Sequence, residues 1–185
     1  MMMTNDFTTR RASTLWILLL TIASTVTTLA LACATPFPAL AALAAIHMKR
    51  RDGIALIGAS WLASQVVGFC VLDYPRDAST FAWGAAIGLA ALASVLVAGS
   101  AAKVVARHGY VAQLAAAYVG GFLAFKATIA LASLGLGGAG IALSLPLMAE
   151  QFARNAAILV GLLALYRGLV AVGLPAAPAP RPLTA

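Results

Sequence analysis

The chain has 185 residues, of which 63% are hydrophobic and 9% charged, with a net charge of +7. A soluble domain carries about a quarter charged residues, so this chain cannot cover a water-facing surface and reads as a single integral membrane domain. Its basic residues stand in short clusters beside apolar runs. That is the pattern of topology signals, and it argues against a nucleic-acid partner.

In chain order, the apolar runs predict six helices at 15–33, 36–48, 53–70, 80–102, 110–134 and 147–172. The expectation is an all-α bundle over 13–173, preceded by a cytoplasmic segment 1–12 and followed by a disordered Pro/Ala-rich tail, 174–185. About 20 residues cross a bilayer core. The second run is too short for that and opens Thr35-Pro36-Phe37-Pro38, so it reads as a short or partly re-entrant helix closing a tight hairpin with the first. With both termini cytoplasmic, the inside receives Arg10, Arg11, Lys49, Arg50, Arg51, Lys103, Arg107, Arg167 and Arg181. These are nine of the twelve basic residues, the bias that the positive-inside rule requires. The first run also loosely resembles a signal peptide ending in the lipoprotein-like Ala30-Leu31-Ala32-Cys33. At about 18 residues it exceeds the 7–15 of a signal core, which favours a spanning helix.

On this topology the remaining polar residues gather at the outer face. Asp73, Tyr74, Arg76 and Asp77 lie between the third and fourth helices, Thr80, Phe81 and Trp83 open the fourth, and Lys126 sits in the fifth. Glu150 and Arg154 share a face of the sixth through their i,i+4 spacing. Ionisable groups inside a membrane are costly and face a bundle interior or a wet cavity. Lys126 and Arg154 are therefore expected to line a pocket open to the outside. The plainer alternative pairs Arg154 with Glu150 and lets Lys126 snorkel to the interface. The glycine-rich connection 135–140 lacks the Gly-Lys-Ser/Thr ending of a phosphate-binding loop, so no nucleotide is expected.

Cys33 and Cys70 end the first and third helices, both toward the outer surface. A disulfide between them is compatible with an oxidising periplasm. Cys33 also suits a small buried apolar position. Cys70 precedes the polar aromatic loop, and a thiolate is a soft ligand for transition metals. One thiol cannot close a zinc site, and His47 and His108 fall at the cytoplasmic side. No protein-only metal site is therefore expected. A metal that arrives already chelated, with one axial position free, fits better.

Three segments then carry a resemblance. Thr35-Pro36-Phe37-Pro38-Ala39-Leu40-Ala41-Ala42-Leu43 stands at the first hairpin, Cys70 with Asp73-Tyr74-Pro75 follows the third helix, and Arg154-Asn155 lies in the sixth. In a small alanine-rich membrane chain these resemble the BtuM family, the cobalamin-specific substrate-binding subunits (S-components) of energy-coupling-factor (ECF) transporters in the bacterial inner membrane. The resemblance implies a six-helix S-component fold that binds cobalamin from the periplasmic side and mediates its uptake. Cys70 would be the axial cobalt ligand, and loss of a cyano group a side chemistry of that ligation. Asp73, Tyr74, Lys126 and Arg154 are then candidates to contact the corrin periphery or nucleotide tail. Besides the lipid bilayer, a shared ECF transmembrane/ATPase module is an expected partner, since the chain has no ATP-binding motif. The rival readings are an S-component-like transporter for another small vitamin, a membrane thiol oxidoreductase using Cys33 and Cys70, and an assembly factor without a ligand.

Overall fold

The computed structural model describes residues 2–30 and 36–177, with side chains of the first helix described over 10–26. Within them every regular element is helical: α1 (Met2–Ala30), α2 (Phe37–His47), α3 (Arg50–Cys70), α4 (Ala78–Val104), α5 (Gly109–Leu136), a one-turn α6 (Ala139–Ala142) and α7 (Leu145–Ala171), with a 3-10 turn (Ala106–His108) between α4 and α5. Four of them, α3, α4, α5 and α7, are long and apolar enough to cross a membrane. Leu62, Val66, Leu89, Leu123, Leu131 and Val160 leave large apolar side chains exposed on their outer faces, as a multi-pass bundle in lipid requires.

The first helix begins earlier than expected. Residues 2–12, expected as a segment before the bundle, are helical and continuous with it, and no Pro or Gly interrupts the stretch from Met2 to Ala30. The tight hairpin expected between the first two helices falls on 31–35, outside the described residues, as does Cys33. The glycine-rich connection is not all loop, because α6 forms within it after Gly137 and Gly138 turn the chain at positive φ.

At the centre lies α2. Every side chain from Phe37 to Ala44 is 0–2% exposed, and the helix packs against α3, α4, α5 and α7 at once. Four neighbours can approach one helix because half of its buried residues, Ala39, Ala41, Ala42 and Ala44, are alanine. Pro36 and Pro38 start it at no cost, since the first-turn N–H groups have no helical partner anyway. At ~1.5 Å per residue it is about 16 Å long, roughly half a bilayer core.

Small residues also set the spacing of the outer helices. Trp61 and Gln65 of α3 lie against Gly84 and Gly88 of α4, and Trp61 Nε1 donates to the Gly84 carbonyl at 2.9 Å. Ser94, Ala98 and Ala101 of α4 meet Gly120 and Gly121 of α5.

One end of the bundle is closed by aromatic and basic side chains. His47 packs tilted 4.5 Å from Tyr166, Trp16 lies 4.5 Å from the same ring, and Arg167 sits over Tyr110. Lys49, Arg50, Arg51, Lys103 and Arg107 lie on the turns at this end. The start of the stretch expected as a tail docks here. Leu174 donates to the Leu169 carbonyl at 3.0 Å, with Gly173 in the left-handed conformation that ends a helix in a Schellman turn. Trp16 Nε1 then donates to the Pro175 carbonyl at 2.7 Å, and Ala177 is buried. The remainder, 178–185, lies outside the described residues.

A Cβ at position 88 would stand 2.8 Å from the Trp61 ring, whereas one at position 58 would meet nothing within 4 Å. Gly88→Ala is therefore expected to destabilise the bundle by about 1–3 kcal/mol through overpacking, and Gly58→Ala to leave it unchanged. Thermal unfolding of both variants in detergent checks this.

Candidate functional site

At the end opposite the aromatic closure, a cavity of about 240 Å³ opens beside the first turn of α2. Its lining comes from four helices: Pro38 of α2, Trp83 and Ile87 of α4, Phe122, Phe125, Lys126 and Ile129 of α5, and Gln151, Arg154 and Asn155 of α7. The residues Phe122, Phe125, Lys126 and Ile129 recur every three or four positions and so form one face of α5. Gln151 and Asn155, four apart, do the same on α7.

The aromatic wall is braced from behind. Phe122 packs against Tyr118 and Phe152, with centroids 6.3 and 5.0 Å away, and Phe125 packs against Phe37 at 6.1 Å. The Tyr118 hydroxyl donates to the Phe152 carbonyl, fixing α5 to α7 beside the wall.

The polar lining divides into satisfied and unsatisfied groups. Arg154 forms an ion pair with Glu150 one turn earlier, so the plainer expectation for this residue holds while it also lines the cavity. Lys126 is buried in the bundle. It is 9% exposed, ten residues or about 15 Å from the end of α5, with no hydrogen bond or ion pair to a described residue. Asn155 Nδ2 donates to the Gln151 carbonyl at 3.0 Å, and its Oδ1 is buried without a partner. Among the described residues, the cavity thus presents the Lys126 ammonium and the Asn155 amide carbonyl without partners beside aromatic rings. That set can hold an anion carrying a hydrogen-bond donor.

The α3–α4 loop lies at the same end, because Trp83 is only about 9 Å of helix from the cap of α4. Asp73 takes φ 50°, a left-handed conformation that asparagine and aspartate tolerate. The reversal lets Tyr74 donate its N–H to the Gly68 carbonyl at 3.0 Å and lay its ring on Gly68, where any Cβ would stand 2.8 Å from the ring. Arg76 folds back to donate to the Phe69 carbonyl at the open end of α3. Phe69 stacks on Phe81 with centroids 4.9 Å apart, tying the loop to α4. Asp77 caps α4 by accepting the Thr80 N–H at 2.7 Å. That bond holds its carboxyl below the ordinary carboxylate range.

Lys126 and Arg154 therefore meet in the cavity with Trp83, whereas Cys70 at the end of α3 and Asp73 and Tyr74 in the exposed loop do not line it. Cys70 is a free, exposed thiol at the end of α3. Gln151 and Asn155 were not anticipated as lining, although two amides four apart in an apolar helix are a legible signal. Among the described residues no three His, Cys, Asp or Glu side chains converge as a metal site.

Two outcomes follow. Lys126→Met removes an uncompensated buried charge, so the ligand-free variant is expected to melt at or above the wild-type temperature; a lower melting temperature would show that Lys126 makes a structural bond. Asp77 has a depressed carboxyl pKa, so its contribution is present above the unfolded value and lost as pH falls through the folded one. Asp77→Ala should lower the melting temperature at neutral pH, and the gap to wild type should close on acidification through the carboxylate range. No protein-family model, characterised protein or solved structure matches this chain.

Proposed function

We propose that this chain is a substrate-binding membrane subunit that receives cobalamin at the end of the bundle bearing the α3–α4 loop and mediates its uptake. The observation that supports it best is the shared position of two features. An open cavity whose buried Lys126 has no partner among the described residues lies at the same end as the exposed Cys70 thiol, which ends α3 beside the braced loop. The six-helix S-component arrangement with cytoplasmic termini belongs to this reading, and the basic turns at the closed end favour it.

The cavity is smaller than the ~300–1,000 Å³ of drug-sized pockets, and a corrin exceeds those. The macrocycle would therefore rest across the mouth on the loop, with only a side arm entering between Lys126 and Asn155. Cys70 at the rim would ligate cobalt from one axial face. Its thiolate would donate the electron pair of the new bond, and an opposing or displaced cyanide would leave with its own pair as the anion. Asp73 and Tyr74 would then face the corrin periphery, and Arg154 and Lys126 the arm below. Energy for release inward would come from a separate module or from trapping after facilitated diffusion.

The second reading, uptake of a smaller vitamin, is favoured by the cavity volume itself, and Cys70 would then be dispensable.

Purified protein incubated with cyanocobalamin and freed of unbound ligand is expected to retain a corrin absorption spectrum shifted from that of the free compound. Cys70→Ala should return the spectrum to the free form or lose the ligand. Colourless wild-type protein that is demonstrably folded would exclude the cobalamin reading. A shifted spectrum unchanged in Cys70→Ala would exclude the thiolate.

A further inference from the structure

Two buried polar groups in the cavity have no bonding role in the fold that the described residues supply. Lys126 is 9% exposed and Asn155 7%, yet neither the ammonium nor the Asn155 Oδ1 has a partner among the described residues. The Asn155 amide cannot be turned over to relieve this, since its oxygen would then oppose the Gln151 carbonyl that Nδ2 now bonds. Leaving a buried donor or acceptor unsatisfied is costly, and leaving a buried charge unpaired is more so. An apolar pair at these positions would give a more stable bundle, so their chemistry points outward from the fold to something bound.

The charge balance narrows what that is. Arg154 is paired with Glu150, which leaves Lys126 as the single uncompensated charge in the lining among the described residues. A monoanion matches it. Asn155 Oδ1 asks for an N–H or O–H donor, and the braced Phe122 and Phe125 with Trp83 at the rim offer flat apolar surface. Taking ~30 Å³ per water, the volume corresponds to about eight waters, enough for a one- or two-ring acid and too little for a nucleotide.

We infer that the cavity binds a singly charged oxyanion on Lys126, with an adjacent hydrogen-bond donor on Asn155 Oδ1 and an apolar ring or arm against Phe122 and Phe125. The inference rests on the cavity being the ligand site of the uptake subunit. Its oxyanion has two sources, the carboxylate of a small free acid or the phosphodiester of a cobalamin nucleotide tail.

The test uses the full chain in lipid nanodiscs, as wild type, Lys126→Met and Asn155→Leu, each first shown to be folded by its thermal transition. The probes are indole-3-acetate and biotin, the uncharged amide of each, and cyanocobalamin, read by thermal shift and tryptophan fluorescence. A free-acid source predicts that one acid binds wild type at least tenfold more tightly than its amide. Lys126→Met should then lose at least tenfold for the acid and little for the amide, and Asn155→Leu should weaken both. A tail-phosphate source predicts instead that cyanocobalamin binding falls at least tenfold in Lys126→Met while the acids do not bind. Cobalamin retained equally by wild type and Lys126→Met, with no binding of either acid, overturns the oxyanion site and leaves the uptake reading standing. An acid that binds through Lys126 while cobalamin is not retained does the reverse. Failure of every probe to bind folded wild type overturns both.

Discussion

The structure depends on burying a helix too short to cross the membrane. With half of its buried residues alanine, α2 lets four longer helices close around it. The neighbours run from 21 to 28 residues, about 31 to 42 Å at ~1.5 Å per residue, against about 16 Å for α2. A central helix of half the length cannot fill the bundle from end to end. At its C-terminus the shortfall is covered by His47, Tyr110, Trp16 and Tyr166. Beside its N-terminus Pro38 helps to line a cavity instead. The site follows from the packing problem rather than from a dedicated loop.

That asymmetry gives the bundle two different ends. The basic, aromatic end is tied down by the returning chain at Pro175 and Ala177. The other end carries the open cavity, the free thiol and a loop whose shape comes from the Asp73 reversal and the Tyr74–Gly68 contact. Phe122 and Phe125, braced by Tyr118, Phe152 and Phe37, form the aromatic wall of that cavity.

Much of the fold was legible because lipid imposes a simple rule on sequence. Helices α3, α4, α5 and α7 lie within a few residues of the apolar runs that predict them. The N-terminal extension of α1 was missed because Asn5, Asp6 and Arg10 make the segment polar, and polarity says nothing against a helix that lacks Pro and Gly. The central place of α2 was not legible either, since an alanine-rich run reads alike whether it faces lipid or four other helices. Lys126 and Arg154 were identifiable as costly charges in apolar helices. Asn155 was visible only as a neighbour of Arg154, and its orphaned carbonyl emerges from the geometry of the α7 backbone. Tyr74 stands apart from the cavity lining because it folds back onto α3, a consequence of the positive φ at Asp73 that no composition or periodicity encodes.

The claim on which the account rests is that the loop end faces outward while the basic end faces the cytoplasm. Cells carrying the Cys33→Ser chain, converted to spheroplasts, can be exposed to a membrane-impermeant maleimide to report which side Cys70 occupies. The account predicts labelling of Cys70 in intact spheroplasts, reduced when cyanocobalamin is present. Labelling that appears only after the membrane is permeabilised would place the cavity on the wrong side and contradict it.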